Sequence, residues 1–173
     1  MKEHNRRSIR LRDFDYNQER LYFVTICSYK GKEVFGSFHK ENIELSDLGK
    51  LIDNCLKDLE NRFEIVLDKY VVMPNHIHLI IQIVGANHDS PKMGERAIRE
   101  SPVQIGKRSL LSKIIGFLKA DVSRKFGMRV WHRNYYDRVV RNRMELERIR
   151  KYIIENPKNW HKDRNNIKIS SLE

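Results

Sequence analysis

The segment YVVMPNHIHLIIQIV, Tyr70–Val84, decides how the chain is read. It holds two apolar runs joined at Met73-Pro74-Asn75-His76, where proline presets the first turn position and asparagine tolerates the second. Two strands meeting through so short a connection form an antiparallel hairpin. Side chains alternate across a strand, so Ile77, Leu79, Ile81 and Ile83 share one face while His76, His78, Ile80 and Gln82 share the other. The apolar face is the core face. The opposite, exposed face then carries two imidazoles at the head of the strand, at a spacing that lets both reach one divalent cation.

Outward from this hairpin, RLYFVTICSY (Arg20–Tyr29) is rich in aromatic and β-branched residues and predicts a buried strand. Gly31 and Gly36 punctuate the next stretch, and NIELS restores alternation, which predicts one or two short strands. Ser46 or Asp47 then caps a helix in which Leu48, Leu51, Ile52, Cys55, Leu56 and Leu59 recur at helical spacing. A second amphipathic helix runs through Leu110, Ile114, Phe117, Leu118 and Val122 and stops at Gly127. In a third, Asn142 and Glu145 resemble a capping box, Leu146, Ile149 and Ile153 form the apolar stripe, and Pro157 blocks continuation.

Residues 85–108 hold two of the four prolines and no sustained period, and are expected to form a long mobile loop. A basic arm over about 1–19 precedes the first strand, and the polar tail over about 158–173 is expected to fray. This order of elements predicts one α+β domain, ferredoxin-like or RRM-like, with helices packed on one face of a mainly antiparallel sheet. Neither a GxGxxG nor a P-loop pattern is present, so no nucleotide cofactor is expected.

The net charge of +11 is unevenly placed. Residues 1–106 carry 16 basic and 16 acidic side chains, whereas residues 107–173 carry 18 against 7. A basic face in the last third is the footprint expected of a polyanion-binding surface. No apolar stretch is long enough to cross a bilayer and the basic start is not followed by a signal-peptide core, so a cytoplasmic location is expected. Cys27 and Cys55 form no metal or disulfide pattern and are expected to be reduced thiols.

A pair of histidines needs a further ligand. Tyr152 and Asn156 stand four residues apart on the last predicted helix and therefore share a helical face. An amide oxygen ligates hard cations such as Mg²⁺ or Mn²⁺, and a phenol one turn away would meet a phosphate bound to that ion. Around them lie Arg133, Arg138, Arg141, Arg148 and Lys151, candidates for contacts to a nucleic-acid backbone, and Tyr135 and Tyr136, candidates for stacking on unpaired bases.

MPNHIHLII, together with WHRNYYDRVVRNRMELERIRKYIIENP, resembles the single-tyrosine HUH transposases, and most closely the bacterial REP-associated tyrosine transposases. The resemblance runs from about RLYFVTI to Pro157. It implies metal ligands at His76, His78 and Asn156 and a nucleophile at Tyr152, with the open face of the sheet receiving single-stranded or hairpin DNA. It also implies a metal-dependent endonuclease and strand-transfer activity through a 5′-phosphotyrosine intermediate, in an arrangement that is monomeric in some relatives and a homodimer in others. A free tyrosine has a pKa of about 10, so a cation-polarised phosphodiester and a positive local field are needed to make it a competent nucleophile. Two features depart from the family pattern: Arg138 stands where many relatives have histidine, and the segment after Pro157 is short.

Three other readings compete, one of them an inactive descendant of such a transposase with its motif intact. A non-catalytic RRM-like module would stack bases on sheet-face aromatics, and the hairpin strand offers His76, His78, Ile80 and Gln82 instead. A histidine-triad hydrolase would need its third histidine where Ile80 stands.

Overall fold

The structure is a computed structural model that describes residues 20–39, 42–84, 109–163 and 165–166. The expected arm over 1–19 and loop over 85–108 lie outside the described residues. In chain order the main elements are β1 (Leu21–Cys27), β2 (Gly36–His39), β3 (Asn42–Leu45), α1 (Asp47–Lys57), α2 (Leu59–Arg62), β4 (Ile65–Val72), β5 (His76–Ile83), α3 (Leu110–Phe126), β6 (Tyr136–Val139) and α4 (Arg143–Glu155).

Four strands form an antiparallel sheet in the order β4-β5-β1-β6, and β2 and β3 form a separate hairpin. The β4–β5 connection closes with the Met73 amide donating to the His76 carbonyl at 2.8 Å. Its register pairs Val71 with His78 and Val72 with Ile77, with a bulge between Leu67 and Lys69. The other edge of β5 meets β1, with Cys27 opposite His76 and Thr25 opposite His78.

The expected apolar face is the core face. Tyr22, Val24 and Ile26 of β1 and Ile77, Leu79, Ile81 and Ile83 of β5 are buried with Ile52 and Leu56 of α1 and Leu111, Ile114 and Leu118 of α3. Helix boundaries follow the local chemistry. Ser46 caps α1 by accepting from the Gly49 amide, Ser109 caps α3 by accepting from the Ser112 amide, and Gly127 ends α3 at φ +80°. At α4, Asn142 Oδ1 accepts from the Glu145 amide at 2.9 Å. Glu145 Oε2 returns the bond one residue further back, accepting from the Arg141 amide.

The second face of the sheet is not the open surface that alternation implied. His76, His78 and Ile80 are all buried, because α4 crosses this face beside β4 and β5 and the chain beyond it folds back. The expectation of a fraying tail is corrected accordingly for the described part: a short 3₁₀ turn at Trp160–Lys162 buries Trp160, and Asp163 and Asn166 are buried with it. Trp160 is apolar enough to dock, and its ring lies 6.0 Å from that of His76. Among the described residues no helix is long and apolar enough to cross a membrane.

Candidate active site

The hairpin turn and the central strand pair build the histidine site. Asn75 is buried, and its amide nitrogen donates to the carbonyls of Gly31 at 3.2 Å and Asn165 at 2.6 Å. That fixes the amide orientation, so Asn75 Oδ1 accepts from His76 Nδ1 at 2.8 Å. The proton of neutral His76 then sits on Nδ1, leaving a lone pair on Nε2. On the paired strand, Thr25 Oγ1 lies 2.8 Å from His78 Nδ1 and plays the same orienting part. The Tyr152 hydroxyl lies within hydrogen-bonding distance of His78 Nε2, at 3.1 Å.

These constraints aim both Nε2 atoms at one point, 2.9 Å apart. Ring nitrogens this close either share one proton in a neutral N–H···N hydrogen bond or turn together toward a bound cation. Burial disfavours a charged imidazolium: it depresses the His76 pKa to about 4, only partly opposed by the nearby Asp163, and burial with His76 as neighbour holds His78 well below the usual histidine range. His76 is therefore neutral at pH 7, and its 3.7 Å approach to Asp163 is not an ion pair.

The donor set fits a divalent cation. His76, His78 and Asp163 offer ligand atoms within 4.8 Å of one another, all buried, and Asp163 was not foreseen from the sequence. Its Oδ1 accepts from the Asn165 amide at 2.7 Å and its Oδ2 from Asn156 Nδ2 at 3.0 Å. Asn156, the expected further ligand, is buried at the end of α4, and its Oδ1 has no hydrogen-bond partner among the described residues. A buried acceptor left in that state is costly unless something else satisfies it. Two neutral imidazoles with oxygen donors suit Zn²⁺, Mn²⁺ or Mg²⁺ more than a soft thiophilic ion.

Aromatic side chains wall the site. Phe23 lies against His78 with ring centroids 5.3 Å apart and an interplanar angle of 28°, and meets Tyr152 edge-on at 6.1 Å. Tyr152 remains partly exposed at the edge of the site. Sequence reasoning missed Phe23, Thr25 and Asp163. The first two sit opposite Ile80 and His78 on β1, and only the strand register discloses that.

The expected DNA-contacting residues divide. Tyr136 is exposed on β6, opposite Thr25 and thus on the histidine side of the sheet, whereas Tyr135 packs against the core with its hydroxyl 3.3 Å from Ser112 Oγ. Arg138 follows Tyr136 on the same face and pairs with Glu145 at 2.5 Å. Arg133, Arg141, Arg148 and Lys151 are exposed, Lys151 lying 3.8 Å from Glu155.

The architecture defines a class of domain: an antiparallel sheet whose hairpin strand holds paired histidines beneath a helix bearing a tyrosine. The same fold occurs in a REP-associated tyrosine transposase whose structure contains a bound REP hairpin; the TM-score is 0.60 and the identity 14%, covering 86% of this chain and 72% of that one. The chain belongs to one family with an uncharacterized protein of Haemophilus influenzae strain Rd, 32% identical over 166 residues and covering 92% of each chain. No protein-family model matches.

Proposed function

We propose that this protein is a metal-dependent transposase or site-specific endonuclease that cleaves and rejoins single-stranded DNA at hairpins, through a 5′-phosphotyrosine intermediate on Tyr152. The observation that carries the reading is the 3.1 Å contact between the Tyr152 hydroxyl and His78 Nε2, at the edge of a buried histidine pair that with Asp163 could hold a metal ion. A phenol has little reason to stand there for packing alone, because Tyr152 is partly exposed. The fold shared with a tyrosine transposase supports the same reading.

His76 and His78 would hold Mg²⁺ or Mn²⁺, with Asp163 and the Asn156 amide oxygen as the oxygen donors beside them. When bound, the cation supplies charge neutralisation at the phosphate. Tyr152 Oη attacks phosphorus, the bond from phosphorus to the 3′ oxygen breaks, the phenolic proton leaves to solvent, and the departing oxygen takes up a proton to become a 3′-OH. Because the phosphotyrosine conserves the bond energy, that 3′-OH or another can attack it later without ATP. Phe23 walls the phenol and limits where the attacked phosphate sits.

Exposed Arg133, Arg141, Arg148 and Lys151 supply the positive field for the backbone. Tyr136 stands two strands from His78, a separation of about 10 Å across the sheet. A base neighbouring the attacked phosphate can stack there. The test is covalent trapping of labelled hairpin DNA on wild-type protein and on Tyr152→Phe, with and without Mn²⁺.

A further inference from the structure

Among the described residues, the helix that carries Tyr152 is held by little apolar packing. Ile153 is buried and Leu146 and Ile149 are half-buried, whereas Met144, Glu147, Arg148, Lys151, Tyr152 and Ile154 are exposed. A stripe this narrow fixes where α4 lies more firmly than it fixes the rotation of the helix about its own axis. At about 100° per residue, Arg150 and Tyr152 fall on opposite flanks of the stripe. Tyr152 reaches inward to His78 and Phe23. Arg150 reaches the other way, to the edge strand β4.

There it makes a forked contact. Arg150 Nε donates to Asp68 Oδ2 at 2.8 Å and Nη2 donates to Asp68 Oδ1 at 2.6 Å, across 82 residues of sequence, while Nη1 donates to Glu147 Oε1 at 2.7 Å. Asp68 occupies the bulge of β4, between Leu67 and Lys69, where one extra residue breaks the alternation and re-aims a side chain. Solvent-exposed ion pairs are weak constraints. This pair is partly buried, with side-chain exposures of 32% and 17%, and it is bidentate, which fixes orientation as well as distance.

We propose that the Arg150–Asp68 fork is a positioning device that sets the roll of α4 and with it the place of the Tyr152 hydroxyl. The catalytic meaning of this placement rests on the reading of Tyr152 as nucleophile; the mechanical part does not. A roll of about 10° moves a side-chain tip by about 1 Å at the outer radius of a helix. A misplacement of that size costs a reacting group about 10²-fold in rate. Arg150 is thereby assigned to the scaffold and not to the DNA backbone.

Two measurements on the full chain test this, comparing wild type with Asp68→Asn and Arg150→Lys, and with Lys57→Ala as a control that breaks a remote exposed pair with Asp53. Hydrogen exchange followed by mass spectrometry is expected to speed up at least about fivefold over 143–155 in both fork variants and to stay unchanged over 76–83. With saturating labelled hairpin and Mn²⁺, their single-turnover adduct rate is expected to fall about 10- to 100-fold, with DNA affinity within about twofold of wild type. Unchanged exchange over 143–155 would overturn the proposal, whatever the rate does. So would an Arg150→Lys protein whose affinity falls tenfold while its rate at saturation holds, since that places the guanidinium on DNA. If wild type forms no adduct, the nucleophile reading fails and the exchange result alone decides the fork.

Discussion

The hydroxyl of Tyr152 lies 3.1 Å from Nε2 of His78, although 74 residues separate the two in sequence. One end of this contact is set by β5, whose register against β1 puts Thr25 behind the imidazole, and the other by α4. The pair thus joins a buried strand to a helix docked by a narrow stripe, the Arg150–Asp68 fork and the Arg138–Glu145 pair. Chemistry that needs a fixed cation site and an approachable nucleophile is served by that division.

The cation site makes the first prediction. Calorimetric titration with Mn²⁺ is expected to give one site in the wild-type protein and none in His76→Ala or His78→Ala. Asp163→Asn and Asn156→Ala are each expected to retain binding weakened by about 10- to 100-fold. A Mn²⁺ concentration of about 100 times the Kd should stabilise the fold by about 2.7 kcal/mol, read as a rise in Tm that EDTA reverses.

Buried neutral histidines give the fold a pH dependence of known sign. Burial lowers the folded pKa of His76 to about 4, below an unfolded value of about 6.5. Between those values the unfolded chain binds a proton that the folded one refuses, so the stabilising contribution is present above pH 6.5 and is lost as pH falls towards 4. Metal-free protein should show urea midpoints that decline through this window, and His76→Asn should decline less.

A base-stacking role for Tyr136 predicts a difference between substrates. Tyr136→Ala should weaken binding of a hairpin with an unpaired extension by about 1–3 kcal/mol and leave a blunt hairpin unaffected, while Tyr136→Phe should match wild type. Fluorescence anisotropy at fixed salt is the appropriate measurement. Tyr135→Phe should change neither affinity, because that side chain packs inward.

Much of this arrangement is legible in the residues. Period-two alternation in HIHLIIQI separates the core face from the histidine face, and the caps Ser46, Asn142 and Gly127 mark helix ends that the structure reproduces. What alternation does not carry is what lies over each face. The histidine face reads as exposed from the strand alone, and becomes buried only because α4 and the Trp160 turn cover it. Asp163 is hidden for the same reason: in HKDRNN it reads as one more polar tail residue, and only the docking of Trp160 a turn earlier brings it to His76. Arg150 reads as one basic residue among many until the bulge at Asp68 gives it a partner.

The scaffold behind the site can be tested through Gly49. A Cβ at that position would lie 1.9 Å from the Phe35 carbonyl oxygen, a backbone atom that cannot step aside cheaply. Gly49→Ala should therefore lose about 1–3 kcal/mol or more in urea unfolding, against the small gain in helix propensity that alanine normally brings. Leu79→Ala, which opens a void beneath the histidine strand, should lose about 2–5 kcal/mol.

The central claim is tested most directly by incubating the protein with labelled single-stranded hairpins drawn from DNA flanking its gene, with Mn²⁺ or Mg²⁺, and resolving the products on a denaturing gel. A cation-dependent covalent protein–DNA band is expected in wild type, vanishing in Tyr152→Phe while hairpin binding persists. Tight binding with no adduct in either protein, or an adduct that survives Tyr152→Phe, would contradict it.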